Sequence, residues 1–485
     1  MGVRVSWWVM SRIVSLMGGL GVVSGTGLEI VYPRLLQDGD PGGNVRRAFT
    51  ELVRRQPALA GPVWEIFNNY YIEGGRAPGT PYKAVPPCRF NRIDDFRPGP
   101  DSFWELPREM QVLVMAANFA EVWLAKEGHD RPVGINFLRK VERPLPWALY
   151  GAILAGAAYV LVGAGSPDEL PAMIEKLSRH EPAAMSFKVY NTKSDSGNFY
   201  AAVRPGELNT AGAALPAPKF LAIVSSFGLA KALADDPVTR PYGFVVEGSE
   251  AGGHSVAPSK ACFDANGKQR LVYTDADKID VASIAGLGLP FWLAGAYASP
   301  EGLASARAKG AAGIQVGTLA ALSSQSGLTP ELRARVLKLL AAGKLRIENV
   351  MVSPTGFPFK VAQVPGTVSE ESVYNARPRV CDVGLLQASY LKPDGQLGYR
   401  CPAEPVEIFT AKGGRRQNTE GRACLCNALL AAAGVPQIRQ GGYVEPPIVT
   451  LGENLDSARA LLAGLPEGHE SYTIGKALGY LRKAA

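Results

Sequence analysis

Gly243-Phe244-Val245-Val246-Glu247-Gly248-Ser249-Glu250-Ala251-Gly252-Gly253-His254 begins as an apolar run and stops in acid, glycine and imidazole. A strand inside a parallel sheet has both faces covered, so it reads as a continuous apolar run. The residues just past such a strand, at its C-terminal end, are where parallel α/β folds meet their ligands. Six further runs have the same form: Leu20 to Ser24, Val133 to Phe137, Tyr159 to Gly163, Phe220 to Ser225, Pro290 to Ala294 and Gly313 to Gly317. Helical stretches lie between them, including one opened by Ser166-Pro167-Asp168-Glu169 and a short one at Gly228 to Ala234. Pro300 to Lys309 fills the gap between the last two runs, a spacing of about 20 residues that suits a βαβ unit. The alternation predicts a parallel α/β barrel with seven visible strands.

Three stretches break the alternation. Residues 30–125 read as an inserted helical subdomain rich in aromatics and proline, with helices near Asn44 to Arg55 and Glu109 to Lys126. Residues 183–205 alternate, Ser186 to Val189 and then Phe199 to Val203, around a polar turn, and so predict a β-hairpin. After a helix at Pro330 to Ala342, residues 346–485 form a C-terminal extension that ends in an amphipathic helix, Ile474 to Lys483. The barrel itself falls to residues 1–29 and 126–345.

At 485 residues the chain has room for about three domains. With 47% hydrophobic and 20% charged residues it can bury a large core and is not broadly disordered. The net charge of +7 comes without a polybasic run, so nucleic-acid binding is not indicated, and only a modest attraction for anions follows. The apolar stretch from Trp7 to Val23 imitates a signal peptide, but Arg12 interrupts it and Gly18, Gly19 and Gly21 break it. Met1-Gly2 with Ser6 matches a myristoylation pattern, a short string that arises often by chance. Elsewhere there is no uninterrupted apolar run of about 18 residues, so no membrane partner is expected. Six scattered cysteines suit a reducing compartment, and a cytoplasmic location is the expectation.

The strand ends carry the candidate chemistry. His254 is the histidine that follows a strand in a glycine-rich loop, while His129 and His469 sit in polar surface contexts and His180 reads as a helix C-terminal residue. Gly252 and Gly253 let backbone N–H groups approach a ligand. Leu293-Ala294-Gly295-Ala296 and Gln315-Val316-Gly317-Thr318 are small-residue loops that open onto helices, the arrangement that holds a phosphate in such barrels. Asn136 is a polar side chain at the end of an apolar strand, suited to a flavin ring edge or its ribityl chain. Ser24, Gly25 and Thr26 line the opposite side of the same mouth. Any one of these loops is also what a tight turn needs, and Asn136 alone is also a helix cap; it is their agreement at four strand ends that makes a site.

Together these residues resemble the nitronate monooxygenase family, formerly 2-nitropropane dioxygenases, and its relatives on the same scaffold, the flavin-dependent enoyl-thioester reductases. The resemblance spans about residues 1 to 330, with Glu250 to His254 and Gln315 to Thr318 as its most specific parts. It implies a (β/α)8 TIM barrel with FMN as cofactor, His254 as the base, Gln315, Gly317 and Thr318 at the FMN phosphate with Gly295 and Ala296, and Asn136 at the ring. Two positions depart from the pattern: Glu247 stands where relatives commonly have Gln, and Ala296 replaces a second Gly. Relatives also place an apolar strand before the segment that begins here at Met1, so the first barrel strand is expected to be missing, with a truncated N-terminus and two exposed edges.

The resemblance implies oxidation of alkyl nitronates with O2, His254 acting as a base of near-neutral pKa on neutral nitroalkanes. The alternative is reduction of an enoyl thioester of acyl carrier protein or CoA by NAD(P)H, and a third reading is a flavin-free binding or structural barrel. Substrate, electron acceptor and oligomeric state stay open. In the extension, Cys381, Cys401, Cys424 and Cys426 lack the spacing of a standard zinc finger and read as ordinary buried or free thiols, with no metal expected. Cys424 and Cys426 precede a helix at Asn427 to Ala433, where a helix N-terminus would lower a thiol pKa.

Overall fold

Apolar runs that need cover on both faces should pair side by side in parallel, and in the computed structural model of the protein they do. The structure describes residues 2–94, 96, 101–192, 197–210, 212–256, 258, 262–263 and 269–483. Seven parallel strands form one sheet: β1 (Gly21–Ser24), β2 (Val133–Leu138), β3 (Tyr159–Gly163), β4 (Lys219–Val224), β5 (Gly243–Glu247), β6 (Phe291–Ala294) and β7 (Gly313–Gln315). They are neighbours in chain order, each connected to the next by a crossover, as barrel strands are. All seven coincide with the runs expected, within two residues at either end.

The register divides the side chains into two sets. Val23, Ile135, Val160, Phe220, Phe244 and Leu293 point outward into the large core beneath the helices. Leu161, Leu221, Val245 and Ala294 form a separate inner cluster, with Val22, Tyr159, Ile223 and Trp292 packed against it. A sheet with an apolar cluster on its concave side and helices on its convex side is curled in the manner of a barrel wall. The helices of residues 30–125, among them Asn44–Arg55 and Arg108–Lys126, bury Phe49, Leu52, Leu113 and Phe119 in the same outer core as the strands.

Among the described residues no further strand of this sheet flanks β1 or β7. The outer edge of β1 is nevertheless met. Ser24 N–H donates to Ser6 O at 2.8 Å, and Ser6 Oγ donates to Val22 O. On its other side the same segment reaches the loop beyond β7, where Gly327 N–H donates to Val5 O at 2.9 Å. Ser6 thus satisfies two backbone groups of β1 that an open edge would leave to water.

The hairpin at 183–205 forms with a shifted strand. Ala183–Ser186 pairs antiparallel with Phe199–Val203, while Val189–Tyr190 leaves to pair in parallel with Ser389 and Tyr390 of the extension. Residues 193–196 of the expected turn lie outside the described residues. The extension contributes a second sheet over the barrel mouth, β8 (Ile347–Val352) and β9 (Pro358–Ala362), and β9 continues onto Gly253–His254. Among the described residues no helix is long and apolar enough to cross a membrane.

Candidate functional site

Side chains two residues apart on a strand share a face, so the last inward position of each strand looks out of the barrel mouth. Ser24 stands beside Asn136 in the pairing of β1 with β2, and Glu247, Ala294 and Gln315 stand side by side across β5, β6 and β7. Each lies two residues beyond an inward-facing position of its own strand or its register partner, Val22, Val245 and Trp292 among them. A polar layer of Ser24, Asn136, Glu247 and Gln315 therefore tops an apolar floor. The side chains of Asn136, Glu247 and Gln315 make no hydrogen bond to any described residue.

Burial in this layer pushes the Glu247 carboxyl up to about 7. A carboxyl in that state donates a hydrogen bond near neutral pH where an ordinary glutamate only accepts.

The loop after β5 turns back sharply. Gly248 N–H donates to Ala294 O at 3.1 Å, and Ala251 N–H donates to Gly248 O at 3.2 Å. Gly252 is packed so closely that a Cβ would stand 2.4 Å from the carbonyl carbon of Leu451. Gly253 has φ +81°, a conformation for which glycine is the natural residue. The chain then runs as a two-residue strand, Gly253 opposite Lys360 and His254 opposite Phe359.

This pairing seats the imidazole. The His254 ring stands edge-on to Phe359, centroids 4.9 Å apart, and to Phe357 at 6.3 Å. Its Nε2 is buried with no hydrogen-bond partner among the described residues. Burial holds the His254 pKa down at about 4, which corrects the expectation of a value near neutrality. Loss of hydration disfavours the imidazolium, so the ring is neutral at pH 7, with one nitrogen carrying a hydrogen and the other able to accept a proton.

The phosphate-type loops are brought together only in part. Thr318 Oγ accepts Gly452 N–H at 2.8 Å, and Glu453 N–H donates to Glu250 O at 3.0 Å, so Leu451 to Glu453 lies between the loops after β5 and β7. Gly317 stays open, with nothing within 4 Å of where a Cβ would be. Gly295, at φ +112°, faces the Glu250 carboxylate, which lies 3.6 Å from its Cβ position. An anion beside that carboxylate would be repelled, so the expected cradle of Gly295 and Ala296 with Gly317 and Thr318 narrows to the latter pair. Gly25 is also set aside as a donor: its N–H is taken by Asn136 O at 2.9 Å, and a Cβ there would stand 2.2 Å from the Phe137 ring.

Lys360, which the sequence reading missed, comes from β9 of the extension. Its side chain has 0% exposure, with Nζ 2.7 Å from Glu453 Oε1, bonded to Ser249 O and 5.2 Å from the centre of the Tyr273 ring. A lysine inside the apolar-flanked strand Pro-Phe-Lys-Val-Ala is its one local signal.

The thiols are unpaired, as expected, and differ from expectation in acidity alone. Cys381, Cys401, Cys424 and Cys426 are free, but burial pushes the Cys424 and Cys426 thiols up, whereas a helix N-terminus was expected to lower them. Among the described residues no group of three or more His, Cys, Asp or Glu side chains is placed to hold a metal ion.

No known protein-family profile matches the chain, and no curated protein matches it. Solved structures similar to it include FabK from Thermotoga maritima, 17% identical, covering 76% of this chain and 81% of its own, with a TM-score of 0.41. A nitroalkane oxidase from Streptomyces ansochromogenes is 14% identical, covering 74% of each chain, with a TM-score of 0.35. The enoyl reductase domain of MlnA from the macrolactin biosynthesis cluster of Bacillus amyloliquefaciens is 12% identical, covering 76% of this chain and 86% of its own, with a TM-score of 0.40.

Proposed function

We propose that this chain is a flavin-dependent oxidoreductase of nitronate monooxygenase type, acting on a small alkyl nitronate at the barrel mouth with O2 as electron acceptor. The observation that carries this reading is the polar layer of Asn136, Glu247 and Gln315 above an apolar floor, whose side chains make no hydrogen bond among the described residues. A flavin has the complementary shape, a flat apolar ring rimmed by amide and carbonyl groups.

The residues present fit FMN at both ends. Asn136, Glu247 and Gln315 would meet the ring edge, and Ser24 and Thr26 would stand on the side of β1. Gly252 and Gly253 would bring backbone close to the cofactor. Gly317 offers open backbone for the phosphate, and the Thr318 hydroxyl, which accepts from Gly452, keeps its own hydrogen to donate. Bound flavin supplies the electron chemistry that no side chain here can provide.

The protein's own part is to orient, to exclude water and to manage one proton. As a neutral imidazole His254 would accept the α-proton of a neutral nitroalkane on the ring nitrogen that carries no hydrogen, but a base held at about 4 is a weak one. A nitronate arrives without that proton and does not need it removed, so the nitronate is the preferred substrate form. Glu247 supports a second reading. A carboxyl that keeps its proton to about 7 can deliver it to the α-carbon of an enoyl thioester while NAD(P)H provides the reducing equivalents.

Reconstitution with FMN, read by the visible flavin absorption band, tests the class. Oxygen consumption with propionate 3-nitronate, against NADPH oxidation with a crotonyl thioester, then separates the two reactions. A protein that takes up no flavin would instead be a binding or structural barrel, and the proposal would fail.

A further inference from the structure

Burying an ammonium is unfavourable unless its protons find acceptors, and the acceptors of Lys360 lie on two different segments. Ser249 belongs to the turn after β5, and Glu453 to the segment Leu451 to Glu453. Lys360 is itself opposite Gly253 in the sheet, and its neighbour Phe359 is opposite His254. Ser255 N–H donates to Pro358 O at 3.0 Å, so the extension holds the turn on both sides of the imidazole. Glu453 N–H closes the circuit by donating to Glu250 O at 3.0 Å.

We propose that Lys360 is a positioning residue for His254: one side chain from the C-terminal extension ties residues 249–255, 358–360 and 451–453 together, and so keeps the imidazole seated against Phe359 with Nε2 unpaired. The proposal rests on the reading of His254 as the proton-accepting group, but its test does not depend on turnover. Lys360→Met keeps the unbranched four-atom stem of the side chain and removes the ammonium. Glu453 is left half exposed and hydrated, while Ser249 O loses its donor.

The test is carbethoxylation of histidine by diethyl pyrocarbonate, followed peptide by peptide by mass spectrometry on the full chain. Wild type is expected to react slowly at His254, whose Nε2 is buried. Lys360→Met should react about tenfold faster there, the change expected from losing a charge-assisted hydrogen bond. Lys360→Arg should restore protection, and His129 and His469 should keep their wild-type rates in every variant. Unchanged protection of His254 in Lys360→Met, or equal acceleration at His129, His254 and His469, overturns the proposal. If Lys360→Met does not fold, Glu453→Leu removes one acceptor from the partly exposed side and must itself accelerate His254 selectively.

In flavin-loaded protein, loss of positioning lowers turnover of a neutral nitroalkane relative to its nitronate, whereas a general loss of structure lowers both alike. Wild type that binds flavin and oxidises neither substrate would refute the functional reading, and the protection data would still decide the role of Lys360.

Discussion

A single methyl group at Gly252 measures how tightly the extension is applied to the barrel mouth. The Cβ of Gly252→Ala would stand 2.4 Å from Leu451 C, 2.6 Å from Gly452 N and 2.8 Å from Leu451 O. All three are backbone atoms, so no rotamer change relieves the overlap, and the two segments must part by about an ångström to reach ordinary contact. That displacement stretches Gly452 N–H to Thr318 Oγ from 2.8 Å and Glu453 N–H to Glu250 O from 3.0 Å, beyond hydrogen-bond range. Two hydrogen bonds at about 1 kcal/mol each, with an overpacking cost of about 1–3 kcal/mol, give an expected loss of about 3–5 kcal/mol.

The neighbouring glycine is the control. Gly253 has φ +81° and nothing within 4 Å of its Cβ position, so Gly253→Ala suffers backbone strain alone, about 1–2 kcal/mol. Urea unfolding followed by tryptophan fluorescence gives both values, provided the slopes agree with wild type. Equal destabilisation by the two variants would refute the packing of Leu451 and Gly452 against the β5 loop.

Two further outcomes follow from buried charge elsewhere in the chain. Glu121 accepts Tyr32 Oη–H at 2.8 Å and Trp8 N–H at 2.7 Å, and burial pushes its carboxyl up to about 7. The folded chain therefore keeps a proton that the unfolded chain has released, and stability falls as pH rises from about 4.5 to about 7. Glu121→Gln should flatten that part of the profile by about 3 kcal/mol, measured by unfolding at the two ends of the window; an unchanged slope would show that Glu121 does not titrate there. Arg377 and Glu445 form an ion pair with side chains 2% and 3% exposed. Arg377→Met strands the carboxylate and should cost about 3–5 kcal/mol, much of it recovered in Arg377→Met/Glu445→Gln. A double variant no more stable than the single one would contradict this.

Strand positions were legible in the sequence because a strand covered on both faces needs apolar residues throughout, and the seven runs had that form. The polar layer was legible for the same reason. Ser24, Asn136, Glu247 and Gln315 stand out as polar residues at the ends of runs whose period of two assigns them to the inner face. Helix limits such as Asn44–Arg55 and Pro330–Ala341 followed from local spacing and from the proline at the first turn of the second.

Three other features were decided by tertiary contact alone. Lys360 and Leu451 to Glu453 lie more than a hundred residues beyond the loop they hold, and no local pattern connects them to it. The pKa directions of His254, Cys424 and Cys426 turned on burial, which a motif does not state; an imidazole in a glycine-rich loop reads as exposed until Phe357 and Phe359 close on it. The edge of β1 reads as open in the sequence and is met in space by Ser6. Periodicity is local, so it determines which residues become strands and which face each side chain takes. Desolvation and long-range hydrogen bonding depend on what packs above those strands, and only the folded chain brings the extension there.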